Sequence, residues 1–192
     1  MLTHQVEVRP VDSTRLADLA RLFGTNGTTA GCYCMYFLVT SREYSQGWGA
    51  ENRAAFEEFA RTAEPPAGLL AYRDGEPVGW CAMGPRARYG RALRSPLLRG
   101  RDQTEDPDVW LVPCFFVRRD ARGSGLMVDL LAEAVRRAGA YGAPAIEGVP
   151  LVGGRRHPTA EGYLGTESAF TGAGFRVVAR PSARRLVMRR DL

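Results

Sequence analysis

The sequence predicts an α/β chain of the α+β type, in which helices flank a central sheet. Three observations carry this prediction: an apolar strand that passes through a basic glycine turn into an amphipathic helix over 109–138, a hairpin signal at Asp74-Gly75, and two strand-like runs that close the chain. The 192 residues can bury a real core and no Gly/Ser-rich linker divides them, so a single domain over 1–192 is expected.

The first part of the chain reads as a strand followed by two helices. Residues 6–11 (VEVRPV) alternate apolar and polar side chains, as a half-buried strand does. Asp12 and Ser13 can cap a helix that runs to about residue 23. A second helix is predicted over 49–62, and the Pro65-Pro66 pair ends it.

The rest of the chain is richer in strands. Two apolar runs surround Asp74-Gly75, which is a strong signal for a two-residue hairpin. A buried strand over 110–117 leads into the basic turn over 118–125 and then into the amphipathic helix. A strand, a short helical piece and two closing strands are predicted over 145–149, 166–173, 175–179 and 185–189.

The glycine turn gives the clearest indication of a binding site in the sequence. Arg122, Gly123 and Gly125 stand between the buried strand and the helix. Such a turn points successive backbone N–H groups into a concavity, and the helix N-terminus adds free N–H groups and its dipole. The segment therefore predicts a site for an anion such as phosphate.

The string R-x-x-G at 122–125, after an apolar strand, resembles motif A of the GNAT superfamily of N-acetyltransferases, R/Q-x-x-G-x-G/A. The last motif position is Met127 instead of Gly or Ala. The predicted order βααβββαβαββ is also similar to the GNAT fold and covers nearly the whole chain. The strings C-x-C-M-Y, G-x-x-N-R and C-F-F-V resemble a bacterial subgroup of that superfamily.

The resemblance implies a mixed, mostly antiparallel sheet with a V-shaped split between its fourth and fifth strands. It also implies that acetyl-CoA, or another acyl-CoA or acyl-phosphopantetheine donor, is the co-substrate. The loop would hold the pyrophosphate, and the fourth strand would pair with the pantetheine arm and supply N–H donors to the oxyanion. The implied donor-binding residues are Phe115, Phe116, Val117, Arg122, Gly123, Ser124, Gly125, Leu126 and Met127.

Three residues are candidates for the chemistry. Glu147, on the strand after motif A, is the leading candidate for the base; the alternative is a solvated carboxylate at a strand end. Many relatives place a Tyr acid where this chain has Phe170, so either the thiolate leaves unassisted or another hydroxyl serves. Tyr163 and Ser168 are nearby, and Tyr163 is the candidate acid, with a packing role as its alternative. Cys114 lies beside the implied thioester, and an acyl-Cys intermediate is the alternative to direct transfer.

The acceptor pocket is expected around the first two helices. The run 31–37 (GCYCMYF) is dense in Cys and Tyr. Tyr33, Tyr36 and Trp48 are the predicted substrate contacts. The alternative is that these aromatic side chains are ordinary core between helices and sheet.

One long irregular stretch, 84–107, carries six arginines. It is longer than most loops and predicts either a mobile flap or a covering segment. Its arginines have two interpretations. They form an electrostatic funnel that attracts phosphates or an acidic partner, or they are the solvated face of a partly helical segment. Nucleic-acid binding is not favoured, because few aromatic residues stand among the arginines and no nucleic-acid-binding module is recognisable.

Composition sets the remaining expectations. No apolar run of membrane-spanning length and no signal peptide is present, so a cytoplasmic protein without membrane contact is expected. The four cysteines lack zinc-ligand spacing, and neither His4 nor His157 is placed to help, so no metal is expected and the thiols are predicted to be reduced. The closing strands leave an edge that a homodimer could use, and a monomer is equally allowed.

Three functions remain open from the sequence. The first is acetyl transfer from acetyl-CoA to a primary amine of a small molecule or peptide by direct attack. The second takes the acyl group from the phosphopantetheine arm of an acyl carrier protein, which Met127 and the Arg-rich surface motivate. The third is a catalytically inactive acyl-CoA-binding or interaction protein, which Phe170 and Met127 motivate.

Overall fold

The computed structural model describes residues 6–25, 27–99, 101–153 and 163–192. Seven strands form one sheet in the order β1-β2-β3-β4-β5-β7-β6; β4 and β5 are parallel and all other neighbours are antiparallel. The predicted mixed, mostly antiparallel sheet is confirmed. The strands are β1 (Val6–Pro10), β2 (Gly68–Arg73), β3 (Glu76–Pro85), β4 (Trp110–Val117), β5 (Ala145–Gly148), β6 (Arg176–Ser182) and β7 (Arg185–Asp191).

Helices flank the sheet on both faces. They are α1 (Leu16–Phe23), α2 (Thr28–Cys32), α3 (Ser41–Gln46), α4 (Ala50–Thr62), α5 (Gly90–Arg94), α6 (Leu126–Ala140) and α7 (Glu167–Gly172). The longer helices lie where the sequence predicts them, except that the turn capped by Asp12 is 3-10 and α1 begins at Leu16. The short helices α2, α3 and α5 were not predicted, because five or six residues are too few to show a helical repeat.

The predicted hairpin between β2 and β3 is confirmed. Asp74 and Gly75 have φ angles of 52° and 80°, the left-handed conformation that a two-residue hairpin of this twist requires. Glycine adopts this conformation without steric cost, and Asp tolerates it better than most residues.

A bulge bends β4 in the middle of the sheet. Between the pairs Ala82–Cys114 and Gly84–Leu111, β4 has two residues where β3 has one. The extra residue increases the local bend and interrupts the ladder. Pro113 lies within this bulge, where its missing N–H costs least.

The bend separates β4 from β5 and produces the predicted split. The two strands pair only from Trp110 to Val112 in β4 and from Ile146 to Gly148 in β5. Beyond this point, residues 113–117 face no neighbouring strand on the β5 side within the described ranges. The backbone of β4 is thus available on one side for an added extended chain.

Among the described residues, the two largest of three side-chain cores lie on opposite faces of the sheet. Helices α6 and α7 cover one face with aliphatic residues and with Phe115 and Phe170. Helices α1, α2 and α4 cover the other face around Trp80, whose ring packs edge-on against Phe23 and Phe56. This second face carries the cavity described below.

The stretch 84–107 is a covering segment, which is one of the two predicted alternatives. It contains α5 and three 3-10 turns, and it buries Tyr89, Ala92 and Leu98 against the sheet. The funnel interpretation is wrong for the inward-facing arginines: Arg86 is completely buried, and Arg88 donates to three backbone carbonyls.

Candidate active site

The loop between β4 and α6 is open to an anion. Gly123 and Gly125 have φ angles of 77° and 84°, which other residues adopt only with strain. Among the described residues, no hydrogen bond uses the backbone N–H of residues 123–127. These donors lie at the positive end of the fifteen-residue helix α6, a position that favours an anion, and the anion site there stays a prediction.

Arginines surround this loop and hold its shape. The Arg122 Nε donates to the Val117 carbonyl at 3.0 Å. Arg73, on β2, donates to the Ser124 hydroxyl at 2.7 Å, and Ser124 donates in turn to the Ala121 carbonyl at 2.8 Å. Arg73 was missed by the sequence analysis, because only the pairing of distant strands brings it to the loop.

Met127 does not fill the loop. Its side chain is half-buried and packs against the core beneath α6. The departure from the motif therefore lies on the core side of the helix, and the concavity of N–H groups remains accessible.

A cavity of about 460 Å³ lies on the opposite face, next to the bent part of β4. Cys114 and Phe116 of β4 line it together with residues of α1, α2, α3, the 3-10 turn at Pro96–Leu98 and the segment before α7. Its aromatic lining residues are Phe23, Tyr36, Phe37, Tyr44, Phe116 and Tyr163.

Three thiols line the same cavity. The Sγ atoms of Cys34 and Cys114 are 3.8 Å apart, and the Trp80 indole N–H donates to the Cys34 Sγ at 2.9 Å. The pKa of Cys34 is raised well above its ordinary value by the hydrogen bond to Cys114 and by burial. Burial also raises the pKa of Cys32, so both thiols are neutral near pH 7.

Tyr163 is the predicted acid that the structure places at the cavity. Its ring lies 6.3 Å from that of Phe116. Burial raises the pKa of the Tyr163 hydroxyl, while a hydrogen bond with Thr28 opposes that rise. The group is therefore protonated at neutral pH and has a proton to donate.

Glu147 is not brought to this cavity. Its carboxylate is buried and pairs with Arg86 at 2.9 Å and with Arg189 at 3.2 Å. It lines a separate cavity of about 280 Å³, together with Arg101 and Glu105. The solvated alternative for Glu147 is wrong, since two guanidinium groups replace water around its oxygens.

The three predicted acceptor contacts lie in different surroundings. Tyr36 lines the cavity. Tyr33 is buried in the core against Phe23, so here the packing alternative describes the structure. Trp48 is half exposed, does not line the cavity, and lies over Gly31, where any Cβ would clash with its ring.

Asn52 fixes the helices that form the acceptor side. It is buried, and its amide donates to the carbonyls of Gly31 at 3.0 Å and Tyr44 at 3.2 Å. The G-x-x-N-R string thus contains a structural tie between α2, α3 and α4.

Phe170 occupies the core and not the cavity. Its ring is completely buried and packs at right angles against Phe115 and against Phe175. It also covers Gly148, where an added Cβ would lie 2.1 Å from the ring. A hydroxyl at this position would need a buried partner.

The described part of the chain contains no cluster of three or more His, Cys, Asp or Glu side chains suited to a metal ion. Among the helices in those same ranges, none is both long and apolar enough to cross a membrane.

The family model for the acetyltransferase (GNAT) family matches residues 34–149, more than half of the chain. A search of curated proteins found no match. Solved structures are similar over nearly their whole length. The acetyltransferase of the GNAT family from Streptococcus pneumoniae is 14% identical with a TM-score of 0.58, covering 98% of this chain and 99% of that one.

Two further structures were solved with the donor or its product. The PaiA N-acetyltransferase of Thermoplasma acidophilum, in complex with coenzyme A, is 14% identical with a TM-score of 0.53, covering 98% of this chain and 99% of that one. The yncA protein of Salmonella typhimurium, with its cofactor acetyl-CoA, is 12% identical with a TM-score of 0.53, covering 97% and 93%. These likenesses show the fold, and the family model shows the membership: the chain belongs to the GNAT family of acetyltransferases.

Proposed function

We propose that this chain transfers an acetyl group from acetyl-CoA to a primary amine of a small molecule or peptide by direct attack. One observation carries the proposal: β4 joins the open N–H loop at its end to the cavity lined by its own Cys114 and Phe116. A donor held at the loop and extended along the free side of β4 delivers its thioester to that cavity.

The chain's own groups supply each step. Pyrophosphate oxygens accept from the N–H groups of residues 123–127, and the β4 backbone near 115–117 stabilises the oxyanion. The amine nitrogen bonds to the acyl carbon, the C–S bond breaks, and the thiolate takes a proton from Tyr163, which takes a proton back from water. The ammonium proton leaves to water, because no carboxylate or His lines the cavity within the described residues.

The contacts support Tyr163 more than Glu147 for proton transfer. Tyr163 lines the cavity, whereas both carboxylate oxygens of Glu147 are held by arginines in another one. The structure gives no specific support to a carrier-protein donor, since Met127 packs into the core and Arg86 and Arg88 face inward.

Calorimetry with coenzyme A, followed by acetyl transfer to a panel of amines, tests the proposal. Tyr163→Phe should lower kcat on the order of 10²-fold at unchanged coenzyme A affinity. Tyr141→Phe, which alters an exposed Tyr outside the cavity, is the control. An unaltered kcat in Tyr163→Phe would remove the acid role, and failure to bind coenzyme A would overturn the donor.

A further inference from the structure

The cavity is walled by aromatic rings from two parts of the fold. On the helical side, the Tyr36 ring packs edge-on against Phe37 at 4.8 Å and Tyr44 at 5.3 Å. On the sheet side, Phe116 and Tyr163 are stacked at a tilt of 31°. Rings fixed by their neighbours in this way favour a flat apolar ligand, which gains both buried area and ring–ring contacts.

The described residues that line the cavity offer no carboxylate to a cation. Among its described lining residues there is no Asp, Glu or His, and Arg185 is the one formally charged side chain. The Cys32 and Cys34 thiols are neutral, as shown above. A substrate with a second ammonium group would leave its water shell and find no carboxylate in exchange.

A second guanidinium, outside the cavity lining, packs on two of these rings. The Arg91 Cζ is 3.8 Å from the centroid of the Tyr36 ring and 5.5 Å from that of Tyr44. The Nη1 atom of Arg91 is buried and has no hydrogen-bond partner among the described residues. Its charge repels further cations and favours the neutral, nucleophilic form of the attacking amine.

We infer that the acceptor is a primary amine attached to an aromatic or similarly flat apolar body without a second positive charge. This inference rests on the proposed function and names the substrate class of the same site. A cavity of 460 Å³ lies within the range of roughly 300–1,000 Å³ that is typical of small-molecule sites. Polyamines and basic peptides are expected to be poor acceptors, because the described lining residues offer no carboxylate to their additional charges.

The experiment compares phenethylamine and spermidine by calorimetry with coenzyme A bound and, separately, as acceptors of the acetyl group of acetyl-CoA. Phenethylamine should bind at least about tenfold more tightly than spermidine. Spermidine that binds as tightly as phenethylamine, or more tightly, would overturn the inference. Acetylation of spermidine in that case would leave the proposed function intact. Absent coenzyme A binding would overturn the proposed function, and the amine affinities would still decide the inference.

A matched pair of variants isolates the charge. Leu97 lines the cavity and is partly buried. In Leu97→Asp, the ratio of spermidine to phenethylamine affinity should rise by about tenfold, because a carboxylate now faces the second ammonium. Leu97→Asn has the same shape without the charge and should leave the ratio unchanged. An equal ratio in both variants would contradict the electrostatic argument.

A second pair tests the aromatic wall. Tyr36 and Tyr141 are similarly exposed, at 40% and 45%, but only Tyr36 lines the cavity. Tyr36→Ala should weaken phenethylamine binding by about tenfold, and Tyr141→Ala should leave it unchanged. Equal affinities in the two variants would show that the ring contacts do not select the acceptor.

Discussion

The loop over 123–127, proposed to bind the donor, and the cavity beside β4, proposed to bind the acceptor, present different kinds of group. The loop presents backbone N–H groups of five consecutive residues, 123–127, and its side chains mainly hold the backbone in shape. The cavity presents side chains from segments as far apart as Phe23 and Arg185. In the proposed function, donor binding therefore depends on local backbone conformation, whereas acceptor choice depends on tertiary packing. Substitutions in the loop and substitutions around the cavity should therefore change donor and acceptor binding separately.

The largest effect is expected from Arg86, which pairs with several carboxylates in the separate cavity around Glu147. It is completely buried and contacts Glu147 at 2.9 Å and Asp106 at 3.1 Å. In Arg86→Ala these carboxylates lose their buried partner, and the free energy of unfolding should fall by about 3 kcal/mol. Urea unfolding measures this change.

The control for Arg86 is an exposed ion pair. Arg136 binds Glu133 at 2.7 Å on the surface of α6, and Arg136→Ala should cost less than about 1 kcal/mol. The network contains no residue of the loop over 118–125, so coenzyme A affinity in folded Arg86→Ala should equal that of the wild type. Equal destabilisation by the two substitutions would contradict the importance assigned to the buried network.

The donor side should be most sensitive to its glycines. Gly125 has a φ angle of 84° with open space around the Cβ position, so Gly125→Ala introduces backbone strain without a clash. That strain is about 1–2 kcal/mol, and its relief would turn the loop N–H groups away from the phosphates. Coenzyme A affinity, measured by calorimetry, should fall about tenfold.

Gly139 provides the matched control within the same helix. It lacks a positive φ angle and also has open space at its Cβ position. Gly139→Ala should raise stability by up to about 1 kcal/mol, through helix propensity alone, and leave coenzyme A binding unchanged. Loss of binding in both variants would mean that the loop conformation is not the determinant.

The same contrast explains what the sequence could predict. The β4 strand, the Asp74-Gly75 hairpin and the anion loop follow from local patterns, because apolar runs and glycine turns determine backbone shape directly. The cavity was only half predicted: Tyr36 and Tyr163 line it, but Leu97 and Arg185 come from segments with no local signal. A single sequence does not reveal which aromatic side chains pack inward.

Buried charge was the hardest feature to predict. Glu147 and Arg86 are 61 residues apart and gave no shared pattern, yet they form the centre of an ion-pair network. The arginines of 84–107 looked solvated or phosphate-seeking because isolated charges normally are. Their inward direction depends on partners that only the folded sheet supplies.

The acceptor side should also be sensitive to alkali. The pKa of Cys34 is raised above its ordinary value of 9.0 in the folded chain, so the unfolded chain loses this proton first as pH rises. The stability contributed by the neutral thiol is present below pH 9 and is lost above it, by up to about 1.4 kcal/mol per pH unit. Thermal unfolding between pH 8 and pH 10.5 measures this loss.

Cys34→Ser is the control, because a serine hydroxyl does not titrate in this range and still accepts from Trp80. The variant should lose less stability than the wild type over the same pH interval. Parallel curves for the two proteins would show that Cys34 is not the titrating group.

The smallest effect is expected at Cys114, where the two regions meet on β4. Direct attack by the amine needs no acyl-enzyme, so Cys114→Ala should retain a kcat close to that of the wild type. An acyl-Cys mechanism requires the thiolate as nucleophile, and the same substitution would then abolish turnover. Mass spectrometry after incubation with acetyl-CoA and no acceptor gives the second readout. An acetylated Cys114 that disappears on addition of amine would replace direct attack by a two-step transfer.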